Sequence, residues 1–276
     1  MQLITELELG DGDFRRFAGL VYASSGIHLT EQKRELLKAR LRKRLRALGL
    51  SSYRDYFNLV TADGPEGELR ALLDVVSTNK TEFYREAKHF EHLASVVVPD
   101  WLARGGPKQG PFRLWCAASS TGEEVWTLAM TLLEALNGQA DFKLLGTDIS
   151  TRVLEKALAG VYEERHVAAI PPEQRQRYFV PLDDGNWQVG SALRSKASFA
   201  RLNLNEAALP FKNPLDAVFC RNVMIYFDKP TQEALVERIH GALGPGGWLY
   251  TGLSESLLAV KHSFKTLAPS VYRKAL

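Results

Sequence analysis

Cysteine is scarce in this sequence of 276 residues: there are two, Cys116 and Cys220, neither in a CxxC pair nor in a Cys/His cluster. A disulfide framework and a structural zinc site are thereby excluded, and a reducing cytoplasm is the expected setting. No apolar run approaches the ~18 to 20 residues of a membrane helix, and the acidic start MQLITELELGDGDF lacks the basic and apolar parts of a signal peptide. Histidine is sparse too. The six residues at 28, 89, 92, 166, 240 and 262 are scattered, and the i,i+3 pair His89 and His92 has no third ligand nearby, so no metal is expected. Repeats and low-complexity tracts are missing. Net charge is only +3, from 35 basic and 32 acidic residues, too little for a domain that coats itself with nucleic acid.

What is present is unevenly spread. Residues 33 to 46 hold eight basic side chains and one acid, Glu35, a local net charge of +7. They belong to the second of four helices expected over residues 1–76, with Thr30 as N-cap, Glu31 in the first turn and Gly49 as the stop. Leu37, Leu41, Leu45 and Leu48 form one stripe of that helix, and Lys38, Arg42, Lys43 and Arg46 point mostly away from it. A solvated face would explain the charges. However, like charges at i,i+4 repel by about a few tenths of a kcal/mol per pair, which favours an acidic partner.

Beyond the Gly/Pro-rich breaks at 62–68 and 104–111, short β-rich runs alternate with helical stretches: FRLWCA, FKLLGT, SFARL, DAVFC and GWLYTG, then a last pair near Phe264 and Val271. This alternation predicts an α/β fold with a doubly wound, mostly parallel sheet, whose ligands sit at the carboxyl ends of strands. The first strand leads into AASSTGEE, not GxGxxG, which argues against NAD or FAD. Glu123 and Glu124 would repel a phosphate there but would suit an ammonium group; equally, they could be plain helix-dipole partners. Asp148, ending the second strand 24 residues beyond Glu124, is placed to hold a ribose diol or to cap the next helix. A ribose acid without a phosphate cradle points to S-adenosylmethionine. Arg221 and Asn222 follow the DAVFC strand, where burial would require hydrogen-bond partners.

TNKTEFYRE, ASSTGEEVWTLAM, GTDIS, Asn203-Leu204 and FCRNVMIYFDKPTQ, in this order, resemble the CheR family of chemotaxis-receptor glutamate O-methyltransferases. The resemblance runs from DFRRFAGLVYASSGI to GLSES. It implies a helical receptor-docking domain at 1–76 and a class I S-adenosylmethionine-dependent methyltransferase domain at 77–276, with an antiparallel β-subdomain inserted at about 177–198. It implies S-adenosylmethionine contacts from Asn79, Thr81, Arg85, Glu124, Asp148, Asn203, Leu204, Arg221 and Asn222, with S-adenosylhomocysteine as product. Arg85 and Tyr226 match family residues near the transferred methyl group, and Lys38, Arg42, Lys43 and Arg46 match the face that docks on the receptor. The expected partner is the cytoplasmic helical bundle of methyl-accepting chemoreceptors, met by a cytoplasmic monomer that neither inserts into membrane nor binds nucleic acid. Two departures stand out. The run between Tyr178 and Asn203 is shorter than in enteric-type members and lacks an Arg-Gly-x-Gly loop, so binding of a receptor C-terminal pentapeptide tether is not expected. Val125-Trp126 stands where many members carry Pro-Tyr, a change of packing.

The chemistry agrees with these residues. A glutamate side chain, with a pKa of ~4.3, is already ionised at neutral pH, so no general base is required, and none is evident. Arg85 could orient the incoming carboxylate or bind that of the cofactor; Tyr226 could donate a hydrogen bond or shape the methyl channel. Two rival functions fit the sequence less well. A nucleic-acid methyltransferase would follow its fourth strand with an Asn/Asp-Pro-Pro-aromatic turn, which CRNVMIY lacks. A non-catalytic interaction protein would have no need of the intact polar set.

Overall fold

The N-terminal quarter folds as four helices, Asp11–Ser25 (α1), Arg34–Leu48 (α2), Tyr53–Thr61 (α3) and Glu66–Val76 (α4), in a computed structural model that describes residues 7–62 and 66–276. Their apolar stripes meet in one core, with Phe17, Leu37, Leu41, Leu45, Tyr56 and Leu72 essentially inaccessible. Truncating such a leucine to alanine costs ~2 to 5 kcal/mol. Gly49 ends α2 in the left-handed region (φ 67°), as expected from glycine's freedom there. The start of α2 differs from expectation. A 3₁₀ turn at Glu31–Lys33 precedes it, and the Thr30 side chain makes no capping bond.

The next helical stretch, Lys88–His92 (α5), a π turn at Leu93–Val97 and Val98–Ala103 (α6), leads to Phe112–Ala117 (β1), Glu123–Leu136 (α7), Phe142–Asp148 (β2) and Thr151–Ala159 (α8). A small lobe follows: Val161–Glu163 (β3), Glu164–Val167 (α9), Pro172–Tyr178 (α10), Phe179–Pro181 (β4), Asn186–Val189 (β5) and Ser191–Arg194 (α11). The chain closes with Ala197–Arg201 (β6), Leu215–Cys220 (β7), Lys229–Ala242 (α12), Leu243–Tyr250 (β8), Lys265–Ala268 (β9) and Val271–Arg273 (β10).

Seven strands form the main sheet in the order β6-β2-β1-β7-β8-β10-β9. The first five run parallel, and β10 alone is reversed, pairing antiparallel with both β8 and β9. One core buries the α7 face of the sheet and a second buries the α12 face. Successive residues of a strand serve opposite faces, so Cys116 belongs to the first core and Cys220 to the second. Strand order reverses between β1 and β7, the point at which a crevice opens at the carboxyl ends.

The small sheet, in the order β3-β5-β4, is antiparallel. It takes in more chain than the expected 177–198: it begins at Val161, and Ala197 onward already belongs to the main sheet. Strands of three residues carry no readable alternation, and their pairing is decided by the long-range contact of β5 with both neighbours.

The helical domain is joined to the sheet domain along a seam. Tyr22 Oη donates to Asp228 (2.9 Å), Asn203 Nδ2 donates to the Ser24 carbonyl (2.7 Å), and the His28 amide donates to the Tyr226 carbonyl (2.8 Å). Among the described residues, no helix is long and apolar enough to cross a membrane.

Candidate active site

At the strand ends the backbone is forced into tight turns. Ala118 (φ 64°) and Ser120 (φ 49°) adopt left-handed conformations after β1, and Gly122 (φ 99°) opens α7. A side chain at Gly122 would meet Ala157 Cβ and Tyr162 Oη, each 2.9 Å away, so this turn can lie close to α8 only with glycine. Folded back in this way, the turn delivers the Ser120 amide to Asp148 Oδ2 (2.9 Å). The Ser150 amide donates to Oδ1 (2.9 Å), and burial raises the Asp148 pKa, opposed by these bonds. Ser150, not Asp148, caps α8, by accepting from the Val153 amide. Asp148 is thus free of the capping role and retains lone pairs for a hydroxyl ligand.

A cleft enclosing about 1170 Å³, part of it open to solvent, occupies this position. All ten residues expected at the site line it: Asn79, Thr81, Arg85, Glu124, Asp148, Asn203, Leu204, Arg221, Asn222 and Tyr226. Ser25, Ile27, Leu29, Lys33 and Leu36 line it too, so the helical domain forms one wall. That contribution was not expected, because its residues carry no motif; they reach the site through the α1–α2 connection and the bridge of Ile27 to Phe227.

The two glutamates differ in orientation. Glu123 is buried, accepts from Thr121 Oγ1 (2.6 Å) and does not line the cleft. Glu124 lines it, accepting from Arg221 Nη1 (2.7 Å) and from the Cys116 thiol (3.3 Å). Burial keeps that thiol, and Cys220, well above the usual thiol pKa, so both are neutral.

Arg221 has a fully buried side chain and is held from both sides. Its Nη2 donates to Glu86 Oε2 (2.9 Å) and to the Arg85 carbonyl (2.6 Å), opposite Glu124, and its guanidinium lies over the Phe90 ring (5.4 Å). Burial alone would lower its pKa, but the two carboxylates outweigh it and the pKa rises. Glu86 carries no signal in the sequence: in TNKTEFYRE the expected site residues are Asn79, Thr81 and Arg85, and no spacing distinguishes a partner for Arg221.

Asn222 (φ 57°) is also clamped. Its amide donates to Glu255 Oε2 (2.5 Å), whose carboxylate further accepts from Gly252 and Ile225. Arg85 donates from Nη1 to the Lys80 carbonyl (2.9 Å), and Lys33 Nζ stands 5.0 Å from the centre of the Tyr226 ring.

On α2 the docking face needs correction. Lys38 is buried, not free: Nζ pairs with Glu8 (2.6 Å) and with Glu35 (3.3 Å). Arg42 donates to the Leu7 carbonyl (2.8 Å). Arg44 pairs with Glu68, and Arg40 donates to the carbonyls of Val76 and Ser77 and to Thr78 Oγ1. Lys43 and Arg46 remain exposed, with no ion pair among the described residues.

The donor set fits S-adenosylmethionine. Two carboxylates, Glu124 in the first turn of α7 and Asp148 at the end of β2, have the chemistry to suit an ammonium and a ribose diol, Ile149, Leu202, Leu204 and Val223 are apolar surface of the kind a base needs, and no glycine cradle invites a phosphate. A doubly wound parallel sheet with this site at its switch point defines a class I S-adenosylmethionine-dependent methyltransferase. Residues 79–273 match the family model described as CheR methyltransferase, SAM binding domain, and residues 12–77 match the CheR methyltransferase all-alpha domain. The chain belongs to the CheR family. It is 40% identical to the chemotaxis protein methyltransferase of Klebsiella aerogenes, covering 98% of this chain and 92% of that one. It is 39% identical to that of Escherichia coli K12, covering 99% and 94%, and 38% identical to chemotaxis protein methyltransferase 2 of Pseudomonas aeruginosa, covering 95% and 93%.

Proposed function

We propose that this enzyme transfers a methyl group to glutamate side chains on the cytoplasmic helical bundle of methyl-accepting chemoreceptors, working in the cytoplasm as a monomer. The observation that carries this reading is the separation of charge in the cleft. Glu124 and Asp148 hold its buried end, whereas Lys33, Lys80 and Arg85 stand toward solvent. A cationic donor fits the first end and an anionic acceptor the second.

When bound, S-adenosylmethionine supplies a sulfonium methyl group open to in-line displacement. Glu124 answers its ammonium, Asp148 its ribose hydroxyls, and Asn79, Thr81, Asn203, Leu204, Arg221 and Asn222 complete the cofactor wall. Arg85 draws the glutamate carboxylate in and orients it. Tyr226, fixed by its carbonyl on the His28 amide and by the Glu255 clamp on the preceding loop, borders the path between acceptor and methyl. Because the acceptor arrives ionised, these residues position and do not remove a proton. Lys43 and Arg46, assisted by Arg42, meet acidic receptor surface; Lys38 holds the helical domain together.

Incubation with radiolabelled S-adenosylmethionine and membranes containing the host's chemoreceptors tests the reading. Label released by base as methanol marks a carboxyl ester; base-stable label would refute it. Recognition of a receptor C-terminal pentapeptide is not part of this function. The β4–β5 hairpin carries Asp183 and Asp184 at its turn, which oppose a peptide carboxylate. Calorimetry showing micromolar pentapeptide binding would sink this part.

A further inference from the structure

Glu86 sits in a turn that is costly to form. It and Tyr84 both have left-handed backbone (φ 58° and 57°), at about 1 to 2 kcal/mol for each non-glycine residue. The turn delivers the carboxylate to three groups from two other strand ends. Oε2 accepts from Arg221 Nη2 (2.9 Å) and from the Leu253 amide (3.2 Å), and Oε1 accepts from Asn222 Nδ2 (3.3 Å). Burial opposes its charge, but Arg221 prevails and holds its pKa below the ordinary value.

The charges around Arg221 do not balance. One guanidinium lies between two carboxylates, Glu86 and Glu124. Of the other titratable groups packed here, the Cys116 thiol is neutral, and His89, 3.6 Å from Glu86, is neutral because burial and Arg221 push its pKa down to about 4. The Glu255 carboxylate is engaged elsewhere, by the amides of Asn222, Gly252 and Ile225, and makes no ion pair with Arg221. Arg221 and the two carboxylates that it pairs with therefore have a net charge of −1.

We infer that Glu86 is the positioning residue that makes this end of the cleft selective for an ammonium group: by engaging one side of Arg221, it leaves Glu124 with an unmatched negative charge. Without Glu86, Arg221 would neutralise Glu124, and the pair would offer a cation nothing. The inference rests on the assignment of Glu124 to the cofactor ammonium.

Binding of two ligands to the full chain tests it: S-adenosylhomocysteine, and 5′-methylthioadenosine, which keeps the nucleoside and thioether but lacks the amino acid. Glu86→Gln should weaken S-adenosylhomocysteine at least about tenfold and leave 5′-methylthioadenosine within about twofold. The double variant Glu86→Gln/Arg221→Gln restores the net −1, now on Glu124 alone, but also removes a residue of the cleft wall that both ligands meet. Its ratio of S-adenosylhomocysteine to 5′-methylthioadenosine affinity should therefore return to within about threefold of the wild-type ratio, whatever loss the two ligands share. Equal losses for both ligands on Glu86→Gln, no loss at all, or a double variant whose ratio stays as low as that of the single one would overturn the inference. If Glu86→Gln alone does not fold, the double variant decides: a wild-type-like ratio supports the charge balance, and a tenfold fall in the ratio rejects it. A wild type that binds neither ligand would remove the cleft assignment itself, a result distinct from any of these.

Discussion

Along residues 33–46 eight cations crowd into 14 positions, yet most are answered by groups far away in sequence; in the cleft a single arginine is answered twice. The two regions show what burial does to charge. At the helix surface water screens each pair, and the exposed remainder is chiefly Lys43 and Arg46. Inside the cleft nothing screens Arg221, and each of its contacts bears on binding and folding together.

Four measurements test this contrast. The largest effect is expected from Arg221→Ala, which leaves Glu86 and Glu124 buried without their cation and should cost about 3 to 5 kcal/mol in urea denaturation. A loss below ~1 kcal/mol, the range of exposed pairs, would erase the distinction. Next is the pH dependence contributed by His89. Its pKa is about 4 in the fold against 6.5 when unfolded. Above pH 6.5 both states are neutral and stability is full; as pH falls toward 4 only the unfolded chain takes the proton, and about 3 kcal/mol is lost. His89→Phe should flatten this slope in melts from pH 7 to 4.

Third, Arg85→Ala should lower methyl transfer at least about tenfold with an unchanged melting temperature; near-normal turnover would remove Arg85 from the site. Smallest is the surface effect. Alanine at both Lys43 and Arg46 should reduce receptor methylation about two- to fivefold at low salt and hardly at high salt. Lys38→Ala should instead lower the melting temperature while leaving the salt dependence of methylation intact. The opposite pattern would return Lys38 to the docking face.

The strand ends were readable because their chemistry is local. β1 leads into α7 with an acid in its first turn, β2 ends in Asp148, and β7 runs into Arg221-Asn222, each a short string with its own signal. Long-range pairings had no such signal. Glu8 lies 30 residues from Lys38 and Glu68 24 residues from Arg44, so the charge of α2 looked free when it was not. Glu86 was invisible for the same reason, its partner lying 135 residues downstream. The small sheet fell between these cases: its middle strand lies in the expected stretch, but Val161–Glu163 becomes a strand only by pairing with it.

The wall that residues 25 to 36 contribute to the cleft bears on how such enzymes could be recombined. Redirecting this catalyst to another receptor by grafting a different helical domain could not stop at residue 76. The graft would have to match Asp228 at Tyr22, Phe227 at Ile27 and Asn203 at Ser24, or the donor compartment would be left with a missing side. With the docking role proposed for the helical domain, these three contacts tie receptor choice to donor retention.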